Sequence, residues 1–156
     1  MKVVAKEDIE APIQTVFTRL TDFRTFERSA IRRGASVKRI DGFDVPAKGV
    51  GWEVQFSLRG KRRDLQLEVV RFDPPEGLEI SANSQGMRGQ VIVQLVALSP
   101  TRTRLRIETE VKPQTLSARL LIQSLRLARA NVHQRMQDRL AEFAASIEGR
   151  RPPRRV

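Results

Sequence analysis

The chain has 156 residues, a length that suits one domain with a single hydrophobic core. It has no cysteine, no tyrosine and one histidine, which excludes disulfides, thiolate metal sites, cysteine or tyrosine chemistry and paired-imidazole sites within one chain. The formal net charge is +11, from 29 basic and 18 acidic residues. Because the basic residues are scattered, we expect nucleic-acid binding to be non-specific if it occurs at all.

Targeting and cofactor signals are absent from the sequence. No apolar run approaches the ~20 residues that a membrane span needs, so we expect no span. The amino end becomes acidic at Glu7 and Asp8, too early for a secretory signal, and this favours a cytoplasmic protein. No group of His, Asp and Glu has metal-ligand spacing, so we expect no metal and no cofactor.

The first forty residues predict one strand followed by two short helices. Apolar residues alternate with polar ones over 3–10, and Pro12 ends this strand. A helical stripe then follows, formed by Ile13, Val16, Phe17 and Leu20. Asp22 is a suitable cap for a second short helix, in which Phe23 and Phe26 share one face.

The middle of the chain predicts an antiparallel meander. Alternating apolar residues indicate strands at 35–41, 52–58, 65–69, 78–82, 91–98 and 105–111. Short turns between neighbouring strands require antiparallel pairing. The segment 91–98 is apolar on both sides, so the pattern leaves open which face points inward.

The carboxyl-terminal part predicts one long helix and a tail. Apolar residues recur every three or four positions over 115–148, and Gly149 is a natural helix stop. We therefore predict a single domain over 1–148 and a basic flexible tail over 149–156, where arginine, proline and glycine predominate.

This order of elements predicts an α+β fold. A sheet of about six or seven antiparallel strands, with two short helices after the first strand, would wrap around the long C-terminal helix. A twisted sheet around one helix leaves room for a cavity between them.

Four segments resemble one known superfamily. They are Ile9–Phe17 with the following Leu20–Phe23, the turn Phe72–Leu78, the hairpin Leu98–Leu105, and the long helix ending at Glu148. In order and spacing they are similar to the START-like superfamily, also called SRPBCC, with the Bet v 1 helix-grip fold. The resemblance covers residues 2–148 in pattern. It implies a cavity for a small hydrophobic molecule such as a lipid, sterol or polyketide-like compound.

Membership of this superfamily leaves three functions open. The leading hypothesis is a module that binds a hydrophobic ligand between sheet and C-terminal helix. The alternatives are a polyketide cyclase/aromatase-like enzyme and a ribosome- or RNA-associated interaction protein. The sequence assigns no catalytic residue and leaves the oligomeric state open. The residues predicted to line the cavity are Trp52, Val54, Phe56, Leu65, Leu67, Val69, Ile80, Ala82, Ile107, Leu121, Leu125 and Ala128.

For three other candidates, the sequence pattern favours an ordinary structural role. His133 lies off the apolar stripe of the last helix, which indicates a surface position. Glu108 and Glu110 follow two arginines on one strand face, a pattern typical of exposed ion pairs. The basic segment 59–63 would suit phosphate, but the pattern favours a solvated hairpin tip.

Overall fold

Seven strands and four helices make up residues 1–149, the part of the chain that this computed structural model describes. In chain order they are β1 (Lys2–Ile9), α1 (Ile13–Leu20), α2 (Phe23–Arg32), β2 (Ser36–Arg39), β3 (Gly51–Leu58), β4 (Lys61–Asp73), β5 (Gly77–Ser84), β6 (Met87–Ser99), β7 (Arg102–Pro113), α3 (Leu116–Leu127) and α4 (Arg129–Glu148). Residues 150–156 of the predicted tail lie outside the described residues.

The strands form one antiparallel sheet in the order β1-β7-β6-β5-β4-β3-β2. Strands β2 to β7 follow one another as a meander, and β1 pairs with the last strand, β7. The predicted α+β helix-grip arrangement, with two short helices after the first strand, is therefore confirmed.

The inward face of β6 is settled by burial. Val93 and Leu95 are buried in the core, whereas Val96 and Leu98 are exposed. The pairing of β6 with β7 shifts register between Ala97 and Ser99, as expected for a bulge near the end of a strand.

The predicted C-terminal helix is divided at Ala128. This residue has φ −101° and ψ 18°, and its N–H donates to the carbonyl of Leu125 at 3.1 Å. This i→i−3 bond tightens the last turn of α3, and α4 starts afresh at Arg129. The two helices then serve different parts of the sheet, since α3 contacts β7 while α4 packs along β1.

Two hydrophobic clusters hold the sheet to its helices. The larger joins α1 and α4 to β1, β5, β6 and β7, and it includes Ile9, Val16, Leu105, Leu140 and Ala144. The smaller lies under α2 and consists of Phe23, Val50, Trp52 and Val69. The second cluster forms the floor beside which the candidate site opens.

Candidate functional site

A groove of about 340 Å³ opens between α2 and the apolar face of the sheet. Its walls come from the end of α1, from α2 and from the five successive strands β2 to β6. The lining residues are Leu20, Phe23, Phe26, Glu27, Ala30, Val37, Trp52, Val54, Leu67, Leu78, Ile80 and Val93. Eleven of these are apolar, and Glu27 is the only titratable residue among them. An apolar space with one charged group is typical of sites for small hydrophobic molecules.

Helix α2 supplies one whole wall of the groove. Phe23, Phe26, Glu27 and Ala30 lie at i, i+3, i+4 and i+7, which places them on one side of the helix. The ring of Phe23 meets the indole of Trp52 edge-on, with centroids 5.1 Å apart and planes at 86°. The ring of Phe26 lies 6.1 Å from that of Phe143 in α4. These ring contacts fix α2 between the sheet and the last helix.

The carboxylate of Glu27 is held by two donors. The indole Nε1 of Trp52 donates to Glu27 Oε1 at 2.7 Å, and Nη1 of Arg39 donates to the same oxygen at 3.2 Å. The guanidinium of Arg39 also lies over the Trp52 ring, 5.5 Å from its centroid. The tryptophan is therefore fixed on its edge by Glu27 and on its face by Arg39.

Asp41 in turn anchors Arg39. Its Oδ2 accepts from Arg39 Nε at 2.6 Å and from the Gly51 amide at 2.8 Å, and its Oδ1 accepts from the Phe43 amide at 2.8 Å. Burial opposes ionisation of this carboxyl, but the bonds from Arg39, Gly51 and Phe43 outweigh it and lower the pKa of Asp41 to about 2. Burial also opposes the charge on Arg39, yet the bonds to Asp41 and Glu27 raise the pKa of Arg39 above its usual value. The result is a charged chain Asp41–Arg39–Glu27 that ends at the groove wall.

The structure brings four of the predicted lining residues together in this groove. They are Trp52, Val54, Leu67 and Ile80. Val69 is fully buried in the cluster that contains Trp52. The remaining predicted residues, Phe56, Leu65, Ala82, Ile107, Leu121, Leu125 and Ala128, lie outside the lining of this groove.

Location along the strands separates only Phe56 from the groove residues of its own strand. Phe56 pairs with Arg63 near the β3–β4 hairpin, beyond Val54, whereas Ala82 pairs directly with the groove residue Leu67 and Leu65 pairs with Val54. Ile107 packs against the larger core, and Leu121, Leu125 and Ala128 belong to α3 and its end. The groove is thus bounded by α2, whereas the sequence predicts a cavity under the C-terminal helix.

The sequence pattern does not predict the α2 wall. The shared face of Phe23 and Phe26 was the available signal, because two aromatic residues on one side of a short helix must cover something. The role of Glu27 had no such signal, since its partner Trp52 lies 25 residues further along the chain.

The other sequence candidates lie away from the groove. His133 is exposed on α4. Glu108 forms a cross-strand ion pair with Lys2 at 3.2 Å, and this hydrogen bond is the largest cause that lowers the pKa of Glu108. Glu110 lies 3.6 Å from Lys112. These carboxylates belong to the outer face of the sheet.

Comparison with protein families gives a match over nearly the whole chain. A sequence profile described as "Polyketide cyclase / dehydrase and lipid transport" matches residues 1–148. No curated protein sequence is similar enough to count as a match.

Solved structures share the fold at low sequence identity. The protein TTHA0849 from Thermus thermophilus has a TM-score of 0.67 at 13% identity, over 96% of this chain and 98% of that one. The Zhui aromatase/cyclase from Streptomyces sp. R1128 has a TM-score of 0.67 at 13% identity, over 95% and 93%. A norcoclaurine synthase point mutant from Thalictrum, solved with a transition state analogue, has a TM-score of 0.67 at 8% identity, over 96% and 94%. At such identities the likeness concerns the fold alone.

Proposed function

Because the chain belongs to the polyketide cyclase / dehydrase and lipid transport family, we propose that it binds a small hydrophobic molecule in the groove between α2 and the sheet. The observation that carries this proposal is the lining itself, in which a continuous apolar surface is interrupted by a single carboxylate. Burial of apolar ligand surface yields about 25 cal/mol per Å², so a ligand that buries roughly 200 Å² gains about 5 kcal/mol.

The size of the groove limits the ligand. A volume of about 340 Å³ is near the lower end of the range for pockets that hold small molecules. A compact ring system or a short acyl chain fits this space better than a complete phospholipid. Aliphatic alcohols of medium length, small sterol-like rings and aromatic polyketide-like compounds are therefore the classes to test first.

Glu27 is expected to orient the bound ligand in the groove. Both of its hydrogen bonds described above end on Oε1, so Oε2 is the oxygen that remains for a hydroxyl or amine of the ligand. A hydrogen bond to a charged group contributes about 1.5–3 kcal/mol, enough to orient an otherwise apolar molecule. We infer that a donor group on the ligand lies near Glu27 and the apolar part near Val54 and Ile80.

The same geometry favours binding over cyclase-like catalysis. A catalyst needs a group that gives or takes protons in the groove. Glu27 is the one titratable group of the lining, and its Oε1 already accepts from Arg39 and Trp52. The enzyme alternative would therefore depend on Glu27 alone.

Ligand titration with two matched variants tests the proposal. Ala30→Phe adds bulk inside the groove, whereas Val96→Phe adds similar bulk at an exposed site on β6. We expect a ligand from the classes above to shift Trp52 emission saturably, with affinity weakened at least tenfold by Ala30→Phe and unchanged by Val96→Phe. Calorimetric binding that Ala30→Phe leaves intact would place the ligand elsewhere. Native mass spectrometry of the purified protein would identify any ligand that co-purifies.

A further inference from the structure

The outer face of α3 is apolar although nothing in the described chain covers it. Leu116, Leu120 and Leu127 are 73%, 59% and 93% exposed. They lie at i, i+4 and i+11, which places them on one line along the helix. The buried side chains of α3, Ala118 and Ile122, lie on the opposite side. The helix is therefore apolar both towards the protein and towards solvent, a pattern that a purely solvated helix does not need.

This face is also strongly basic. Residues 111–137 contain no Asp or Glu and hold five Lys or Arg residues. Arg119 and Arg126 lie seven positions apart and so flank the leucines on the same side, without an ion pair among the described residues. Burial is the largest cause that lowers the pKa of the Met1 amino group, and the nearby positive charge of Arg126 is the second. Glu110 raises this pKa, and the charge of Arg129 lowers it again by a smaller amount. Positive charge is thus concentrated where the leucines are exposed.

The basic surface continues past the start of α3. A cleft of about 460 Å³ separates its first turn from the β3–β4 hairpin, and its lining includes Lys61, Arg62 and Arg63 together with one acid, Asp64. Within the described residues, the buried Nε of Arg63 has no hydrogen-bond partner. Cations therefore border the leucine line at its N-terminal end as well as along its flank.

We propose that the outer face of α3 docks on an anionic lipid membrane, with the three leucines entering the interfacial region and the arginines contacting lipid phosphates. Exposed leucines beside arginines are the pattern of a helix that lies in a membrane interface. No described helix is long and apolar enough to cross a membrane, so the contact is peripheral. The proposal does not depend on whether the groove under α2 holds a ligand.

Charge selects this occupant among the three that an exposed apolar face admits. A second copy of the chain would bring its own Arg119 and Arg126 against these, and like charges would oppose the pairing. A nucleic acid would satisfy the arginines but would leave the leucines in water. An anionic membrane satisfies both sets of side chains.

Vesicle flotation with the full chain tests this proposal. Vesicles of phosphatidylcholine alone are compared with vesicles of equal parts phosphatidylcholine and phosphatidylglycerol, at about 0.15 M and about 0.5 M salt. We expect at least tenfold more protein on the anionic vesicles, and less of it at the higher salt. Each arginine near the surface contributes about fivefold to the partition coefficient, so Arg119→Gln with Arg126→Gln is expected to reduce it by roughly twentyfold.

The decisive variant removes the leucines and keeps the charge. Leu116→Ser, Leu120→Ser and Leu127→Ser together are expected to reduce partitioning at least tenfold, because apolar burial is lost. If this variant unfolds, Leu127→Ser alone replaces it, since that side chain is almost fully exposed. The matched control is Val96→Ser with Leu98→Ser, two exposed apolar residues at the end of β6, and it is expected to bind like the unchanged protein.

Four results would overturn the proposal. They are no binding to anionic vesicles at about 0.15 M salt, leucine variants that bind as well as the unchanged protein, an equal loss in the β6 control, or a dimer in solution that the leucine substitutions dissociate. The last result would assign the face to a second copy instead.

Discussion

Asp41 is the residue on which the polar side of the groove depends. It lies in the loop before β3, where it fixes two backbone amides and the guanidinium of Arg39. Arg39 then positions Glu27 and covers Trp52. A loop carboxylate thus determines how an aromatic wall is oriented, through a chain of charge-assisted hydrogen bonds.

The low pKa of Asp41 makes the stability of the fold dependent on pH. Its pKa is about 2 in the folded protein against an ordinary 3.8, so the unfolded chain takes up a proton first as the pH falls. The stabilisation is therefore complete above about pH 4 and is lost as the pH falls towards 2. We expect Asp41→Asn to cost about 1–2 kcal/mol of unfolding free energy at neutral pH. Urea unfolding at a series of pH values measures this.

The pH series has a control in the same loop. Asp44 is exposed, so Asp44→Asn is expected to follow the unchanged protein at each pH. The cost of Asp41→Asn is expected to shrink as the pH falls from about 4 to about 2, because the carboxylate that the substitution removes is then protonated anyway. A cost that stays constant over this window would mean that the ionised form of Asp41 contributes nothing.

Glu27 is expected to stabilise the fold by satisfying the buried indole. Trp52 is only 6% exposed, and loss of the acceptor for its N–H costs about 1–3 kcal/mol. We expect Glu27→Ala to lower the unfolding free energy by this amount and Glu27→Gln to restore much of it, because an amide oxygen can still accept. Glu53→Ala, an exposed position on β3, is the control. Equal stability of the alanine and glutamine variants would contradict the role of the hydrogen bond.

At the scale of elements, the β5–β6 pairing requires a glycine at its start. A Cβ built on Gly77 would lie far inside the van der Waals contact distance from the Val93 carbonyl oxygen. That oxygen belongs to the backbone of the paired strand β6, so it cannot move without disturbing the ladder. We expect Gly77→Ala to cost about 1–3 kcal/mol. Gly42→Ala, where a Cβ meets open space, is expected to change stability by less than about 0.5 kcal/mol.

Element order was predictable because strand alternation and helical periodicity are both local. The strands beginning near Trp52 and Leu105 show clear period-two patterns, and short turns fix their antiparallel pairing. The division of the last helix at Ala128 was not predictable. No proline or glycine marks it, and the apolar stripe continues through it. A single tightened turn ends α3 there, and helical periodicity carries no information about such a turn.

The alternation predicts which face of the sheet lines the candidate groove, but it does not predict how far the groove extends along the strands. Alternation correctly groups Trp52, Val54, Leu67 and Ile80, which share one side of neighbouring strands. It cannot tell how far along those strands a helix reaches. Phe56 continues the same alternation along β3, yet it is not among the residues that line the groove beside α2. The helix that forms this wall was likewise beyond the pattern, since tertiary packing sets which helix meets which strand.

At the scale of the whole molecule, the net charge of +11 predicts at most a salt-sensitive binding to RNA without sequence preference. Sequence-specific recognition of single-stranded RNA stacks bases on aromatic side chains, but Trp52 is buried, and the exposed Phe26 and Phe43 lie apart in the chain, in α2 and in the loop before β3. For about three to five phosphates neutralised, the affinity is expected to fall roughly ten- to fiftyfold between about 0.05 M and 0.15 M salt. Fluorescence anisotropy with labelled RNAs of different sequence measures this loss.

The RNA titration also separates charge from apolar contact on the same surface. Arg119→Gln with Arg126→Gln is expected to weaken RNA binding and vesicle binding alike, because both partners present phosphates. The triple serine variant of Leu116, Leu120 and Leu127 is expected to weaken vesicle binding only, because an RNA backbone offers leucine no apolar partner. RNA binding that discriminates among sequences at physiological salt would instead make nucleic acid the principal partner of this basic face. If the leucine variant loses as much RNA binding as the arginine variant, the leucine substitutions disturb α3 itself.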